Sequence, residues 1–384
     1  MDPKLDVKPI YLDYAATTPL RAEVREAMLS VLGERWGNPS SVHRWGREAR
    51  AALEDARSRF AAVIGASPAE IVFTRGGTEA DNLAILGRVR DGGSRGVAVS
   101  AIEHKAVLAT AAVLASGGGE VRIVPVDAEG LIDLDALEEI LRIQPPAVVS
   151  VMWANNEVGV IQPVARIAER CAAAGVAYHT DAVQALGKLA VRMGEVPADL
   201  AAFSAHKLGG PRGTGALFVR RGTQLHPLLH GGGQERGLRS GTEDVAGAVG
   251  FAVAAERAEA ERETEMARLA ALRDRLESGL RERVTGLRVN AAGAPRLPTI
   301  SNVSAPGADA EMLLMALDMA GVAASSGSAC SSGAVEPSHV LTAMGLPADV
   351  AGPSVRFSLG RDTTDADIDR ALEIFPAVIE RLRS

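Results

Sequence analysis

The chain has 384 residues and a mass of 39.9 kDa, with 47% hydrophobic and 23% charged residues, the proportions of an ordinary globular protein and not of a disordered one. Basic and acidic residues number 41 and 48, a net charge of −7, so clustered phosphate neutralisation is not expected and nucleic acid is excluded as the main direct partner. No apolar run reaches the ~18 residues of a membrane helix, and residues 1–20 have no long apolar core, so neither a membrane span nor a signal peptide is expected and the cytoplasm is the expected compartment.

In chain order, Trp45, Ala49, Leu53, Ala56, Phe60, Val63 and Ile64 recur at helical spacing, and Gly65 ends that helix. Ile71-Val72-Phe73 is a short apolar strand, followed by Gly76-Gly77-Thr78. Thr78 and Asp81 fit a capping box that opens a helix from Glu79 to Leu86. Further strands are expected at Val97–Ser100, Val121–Pro125, Val148–Met152, Ala177–Thr180, Leu200–Phe203 and Gly215–Val219. Residues 252–286, rich in Ala, Glu and Arg, read as one long helix or a broken pair. Strands at Thr299–Val303 and Val355–Leu359, with helices from about Asp309 and Asp365, complete a small α+β unit. Strands alternating with helices predict a mostly parallel, doubly wound α/β sheet, whose ligands bind beyond the carboxyl ends of the strands. The expected division is a large domain over 15–255 and a small domain formed by 1–14 and 256–384.

Five clusters carry chemistry. Asp181 and Lys207 each follow a predicted strand. A lysine amine there can form a Schiff base with an aldehyde cofactor, and an aspartate can keep a pyridine nitrogen protonated. Only five lysines occur, which makes Lys207 conspicuous, although each residue alone reads as readily as a solvated lysine or a capping aspartate. Gly76-Gly77-Thr78 opens a helix and suits a phosphate, without the Gly-Lys-Ser/Thr of a Walker loop. His104, in Glu103-His104-Lys105, can stack on a flat ring or shuttle protons, or simply start a helix at the surface.

The fourth cluster places Cys330 in a Ser/Gly/Ala tract over 325–334, expected to be a mobile exposed loop whose thiol serves as nucleophile or sulfur carrier. Cys171, in a helical pattern, reads as a small buried apolar residue. Two cysteines cannot build a disulfide framework or a cysteine-only metal site. The fifth cluster, residues 231–242, is glycine-rich with Arg236 and Arg239, and suggests an anion or subunit contact.

Three motifs make the chain similar to a known family: Gly37-Asn38-Pro39-Ser40-Ser41-Val42-His43, Asn155-Asn156-Glu157-Val158-Gly159 and Ser326-Gly327-Ser328-Ala329-Cys330. It resembles the cysteine desulfurases of the NifS/IscS type, class V aminotransferase-like enzymes of fold type I, from Tyr11 to Arg361. The resemblance implies pyridoxal 5'-phosphate as cofactor, L-cysteine as substrate, a homodimer, and Cys330 as acceptor of the sulfur, leaving L-alanine and a persulfide. It implies Lys207 as the Schiff-base lysine, Asp181 on the pyridine nitrogen, Gln184 on the phenolic oxygen and His104 over the ring. Gly77, Thr78, Ser204 and His206 would hold the phosphate, joined by Thr242 from the other subunit. Asn155 would contact cofactor and substrate, and Asn38 and Arg356 the substrate carboxylate. A free thiol near pKa 8.5 needs a base, for which His104 is the first choice.

No resting metal site is implied, Cys330 serving at most as a transient iron–sulfur ligand. The acceptor would be a protein such as an iron–sulfur scaffold or a tRNA-thiolation enzyme. In the housekeeping group a longer tail helps dock the scaffold, whereas this sequence ends at Ser384, so the acceptor stays open. The alternatives are a pyridoxal-phosphate aminotransferase or lyase without this sulfur chemistry, such as a selenocysteine lyase, and a non-enzymatic accessory subunit, against which the intact Lys207, Asp181, His104 and Cys330 count.

Overall fold

The computed structural model describes residues 9–89, 96–326 and 337–383. The strands are β1 (Ile10–Tyr11), β2 (Ile71–Thr74), β3 (Val97–Ser100), β4 (Val121–Val124), β5 (Val148–Ser150) and β6 (Ala177–Asp181). They continue with β7 (Leu200–Ser204), β8 (Gly215–Val219), β9 (Arg288–Val289), β10 (Ile300–Ser304), β11 (Val322–Ala323) and β12 (Ser354–Ser358). The helices are α1 (Ala22–Glu34), α2 (Arg44–Val63), α3 (Gly77–Val89), α4 (Lys105–Ser116), α5 (Leu134–Ile143) and α6 (Val164–Ala173). After these come α7 (Val245–Arg283), α8 (Ala310–Met319), α9 (His339–Ala343), α10 (Ala348–Ala351) and α11 (Asp365–Arg383).

A seven-stranded sheet has the order β2-β8-β7-β6-β5-β3-β4. β4, β3, β5, β6 and β7 run parallel, while β8 is antiparallel to both β2 and β7. Its strands are apolar almost throughout because helices cover both faces. From β3 the chain crosses to β4 on one side and then to β5 on the other. That reversal opens a crevice at the carboxyl ends of the strands.

Two larger apolar cores share α7. Its first part, from Val245 to Ala258, packs with Phe60, Phe203 and Phe251 around the large sheet. Its second part contributes Leu269, Leu272, Leu276 and Leu280 to a second core, with Ile10, Leu12, Phe357 and Phe375. The second core covers the antiparallel sheet β12-β10-β9 and the parallel pair β1-β11. The long helix is therefore single and unbroken over 39 residues, starting earlier than its composition suggested.

One local expectation is corrected. α3 begins at Gly77, not Glu79, so Thr78 lies inside the first turn and Thr78–Asp81 is not a capping box. The Glu79 carboxylate instead accepts the Arg75 N–H at 2.7 Å, and Asp81 is buried at 1% exposure. In the 231–242 loop the charged groups turn inward. Glu235 is buried against Arg57 at 2.7 Å, Arg239 pairs with Glu79 at 2.9 Å, and Arg236 donates to the Ile71 carbonyl. Within one chain those arginines pair as described, and the expected anion or subunit contact of the loop stays a proposal.

Candidate active site

The crevice contains a pocket lined on three sides by loops that follow β2, β3, β6 and β7, and on the fourth by the small-sheet side of the molecule. At the β2 end, Gly76 holds φ +130°, open to glycine alone, and Gly77 starts α3. A Cβ on Gly77 would meet Val183 Cγ2 at 2.7 Å, so the backbone must be bare where it lines the pocket. The N–H groups of the first turn of a 13-residue helix, the Thr78 hydroxyl and Ser204 form a cradle for an anion.

Asp181 ends β6 and Lys207 follows β7, its parallel neighbour, so one strand pairing sets their separation. Asp181 is buried, with Oδ1 accepting the Val183 N–H at 2.9 Å. Burial pushes its carboxyl up, against the opposing fields of His104 and Lys207. Lys207 Nζ donates to the Ala15 and Ala16 carbonyls at 2.6 and 2.7 Å. Burial and the Arg356 charge lower its amine to about 8, which leaves a sizeable neutral, nucleophilic fraction near neutral pH.

His104 caps α4, with Nδ1 accepting the Ala106 N–H at 3.1 Å. In the neutral ring the proton then sits on Nε2, and burial keeps the ring neutral by lowering its pKa. As capped, His104 is a donor, which runs against the expectation that it serves as the base. His206 is lowered to about 4, first by burial and then by Lys207, and its Nδ1 lies 3.1 Å from Thr17 Oγ1. Gln184 Nε2 donates to the Ala15 carbonyl at 3.0 Å. Arg356, on β12, pairs with Asp13 at 2.7 Å and donates to the Asn156 carbonyl at 2.9 Å, with its Nε unpartnered.

The pocket thus gathers Gly77, Thr78, His104, Asp181, Gln184, Ser204, His206, Lys207 and Arg356 from the expected set. Asn155 stands behind the wall. Its amide is committed to the Ile102 carbonyl and to the N–H groups of Glu157 and Val158, and Asn156 and Glu157 line the pocket in its place. Asn38 and Thr242 are exposed and line no part of this pocket within one chain. Cys330 and residues 327–336 lie outside the described residues.

Sequence reading missed Asp81, Met152 and His339. His339 Nε2 donates to the Glu103 carbonyl at 2.9 Å, which leaves Nδ1 as an acceptor. Asp81 Oδ1 is buried without a hydrogen bond, 3.5 Å from His179 Nε2, and burial raises its carboxyl beside Asp181 and Glu103. Asp81, His104 and Asp181 offer ligand atoms within 4.8 Å of one another.

Taken together, one pocket holds a buried carboxylate suited to a cation, a helix start suited to an anion, and an amine. A flat pyridinium that carries a phosphate and an aldehyde meets all three demands, so these residues fit pyridoxal phosphate.

The family profile of class-V aminotransferases matches residues 10–371. The chain is 45% identical over 379 residues to "Cysteine desulfurase IscS" of Dictyoglomus turgidum, covering 98% of this chain and 96% of the relative. A "Cysteine desulfurase" of Gluconacetobacter diazotrophicus is 46% identical, with 97% and 94% covered. Among solved structures, a "NifS-like protein" superposes with a TM-score of 0.91 at 37% identity, covering 97% of this chain and 100% of that one. "SspA in complex with cysteine" gives a TM-score of 0.80 at 35% identity, with 91% and 98% covered. Among the described residues no helix is long and apolar enough to cross a membrane. With the fold, the pocket and these relatives in agreement, the chain belongs to the cysteine desulfurases of the class-V aminotransferase family.

Proposed function

We propose that the pocket binds pyridoxal 5'-phosphate and L-cysteine, and that the sulfur passes to Cys330 within a homodimer before delivery to an acceptor protein. The observation that carries this reading is that Lys207, the Asp181 carboxylate and the Gly77–Thr78 helix start line one pocket. When bound, the cofactor supplies an electron sink for charge developed at the substrate α-carbon. The residues of the chain do the rest. Asp181 would hold the ring nitrogen, and Gly77, Thr78, Ser204 and His206 would hold the phosphate. Arg356, held by Asp13 and Asn156, offers its guanidinium to the substrate carboxylate. Lys207, neutral above a pH of about 8, accepts the α-proton. The Cys330 thiolate attacks the substrate sulfur. A sulfur–sulfur bond forms as the carbon–sulfur bond breaks, and its electron pair stays with carbon. That β-carbon takes up the proton given up by the substrate thiol, relayed by His104, and the Lys207 ammonium returns a proton to the α-carbon. L-alanine leaves, and Cys330 carries the persulfide.

The test incubates purified, cofactor-loaded protein with L-cysteine and a thiol reductant. Expected are a visible absorption band fixed to Lys207 by borohydride, and alanine and sulfide in equal amounts. A protein that takes up no cofactor overturns the reading. Amino-group transfer without sulfide favours an aminotransferase, and release of selenium from selenocysteine with none of sulfur from cysteine favours a selenocysteine lyase.

The proposed dimer has its own test. Thr242 is exposed in one chain, as a residue that completes the phosphate cradle of a partner subunit must be. A hybrid of Lys207→Ala and Thr242→Ala chains should keep one site per dimer with near-native cofactor affinity, measured by equilibrium dialysis. Equal weakening of every site, or a monomer in sedimentation, removes Thr242 from the site.

A further inference from the structure

Lys188 is one of only five lysines in the chain, and the reaction described above does not use it. It sits one turn after Gln184, in a segment tightened by the Leu186 N–H to Ala182 carbonyl and Lys188 N–H to Ala185 carbonyl bonds. Its Nζ donates to Gln184 Oε1 at 2.6 Å. A side-chain amide can take either of two orientations, but an ammonium has no acceptor to offer. Oε1 must therefore face Lys188, and Nε2 is left pointing the other way. That nitrogen donates to the Ala15 carbonyl at 3.0 Å, the same oxygen that receives Lys207 Nζ at 2.6 Å. Gln184 is 4% exposed. Lys188, Gln184, the Ala15 carbonyl and Lys207 form one connected chain of hydrogen bonds.

We propose that Lys188 is a positioning residue: by holding Oε1 of Gln184, it keeps the Nε2 donor turned toward the phenolic oxygen of the cofactor. The proposal rests on the reading of the pocket as a pyridoxal-phosphate site. Lys188 never reaches that pocket; it lines a second cavity on the far side of Lys207. Burial, Lys207 and Arg356 push its amine down to about 7. The charged groups around the second cavity are Arg21, Glu261, Glu265, Arg361 and Asp362, and among them Arg21 and Glu261 pair with each other at 2.8 Å. When neutral, the Lys188 nitrogen still has an N–H for Oε1, and the Ala15 carbonyl, which can only accept, still requires Nε2 on its side, so the orientation of the amide survives across the neutral range.

A donor aimed at the phenolic oxygen stabilises its anionic form and lowers the pH at which the bound cofactor loses its proton. The experiment loads wild type, Lys188→Met and Lys188→Arg with pyridoxal phosphate and titrates the visible band with pH. The Met variant keeps an unbranched side chain out to Cε but has no donor. Its midpoint should rise by about one pH unit, while the Arg variant should stay near wild type. Should the Met variant fail to fold, Lys188→Gln is titrated against Lys188→Arg on the same terms, since its shorter amide does not span to Oε1. A Gln184→Leu background supplies the control, in which Lys188→Met should add no further shift. An unshifted midpoint in a folded Met variant, or equal shifts in the Met and Arg variants, overturns the proposal. A wild-type protein without a band reducible onto Lys207 marks instead the failure of the cofactor reading on which it rests.

Discussion

Lys207→Ala is expected to lose the borohydride-reducible visible band and to form alanine from cysteine at least ~10⁴-fold more slowly than wild type, as when a group central to covalent catalysis is removed. The expectation follows from the surroundings of the amine. Its two hydrogen bonds go to backbone carbonyls, and among the described residues no carboxylate pairs with it directly. Burial, then Arg356, lower its pKa to about 8, against weaker pull from Asp181 and Asp13. An amine with a depressed pKa is protonated below that value and nucleophilic above it. In the cofactor-free wild-type protein, capture of pyridoxal phosphate should therefore quicken about tenfold per pH unit up to pH ~8 and level off beyond it. Stopped-flow absorbance measures this directly. A rate that climbs without a break to pH 10 would assign Lys207 an ordinary lysine pKa and contradict its burial. Lys207→Arg, which keeps charge but no nucleophilic nitrogen, should behave as the Ala variant does.

The second large effect distinguishes the two cysteines. Cys330→Ser should leave cofactor binding and the spectral response to L-cysteine intact. Alanine formation should fall to near background, with no persulfide trapped by alkylation and mass spectrometry. Cys171→Ser should do the reverse. Cys171 lies on α6 at 0% exposure, packed in the large core with Ile167 and Ala168, and burial pushes its thiol up to about 12. A thiol so held is no nucleophile at neutral pH. A serine hydroxyl there loses solvation and should cost about 1–3 kcal/mol in chemical denaturation, with normal turnover. Normal alanine release from Cys330→Ser but not from Cys171→Ser would mean that the wrong cysteine was chosen. If neither change slows release, the chemistry is that of an aminotransferase or lyase.

The parts of the fold that depend on short-range patterning were readable before any coordinates. The apolar runs at residues 97–100, 148–150 and 200–204 are strands because both faces of the sheet are covered, and Gly65 stops α2 with φ +63°. Gly77, His104, Asp181 and Lys207 were legible for a related reason, since each follows a strand and doubly wound sheets place their ligands there. The failures lie where tertiary contacts decide. Asp81 has the spacing of a capping residue, yet its carboxylate is buried in the pocket wall, and only the packing of α3 across β7 reveals that. His339 arrives from far along the chain, outside the sheet whose rule identified the others. Asn155 carries a familiar motif, and only the fold shows that its amide bonds the Ile102 carbonyl and the turn that follows it. The inward-facing Glu235 shows the same limit: a polar, glycine-rich run looks like a surface loop until Arg57 is found beneath it.

The 39-residue α7 has a mechanical meaning as well as an architectural one. At a rise of 1.5 Å per residue it is a rod roughly 58 Å long, and each half is cemented into a different core. A torque applied to the small sheet is carried by a continuous ladder of backbone hydrogen bonds, with no glycine–proline joint between Phe251 and Ser278 to absorb it. Arg356 stands on that sheet and reaches the pocket, so the rod fixes the sheet from which the proposed contact to the substrate carboxylate would be made. If that contact is made, stiffness in a part remote from the chemistry becomes a property on which selection can act without touching any group that reacts.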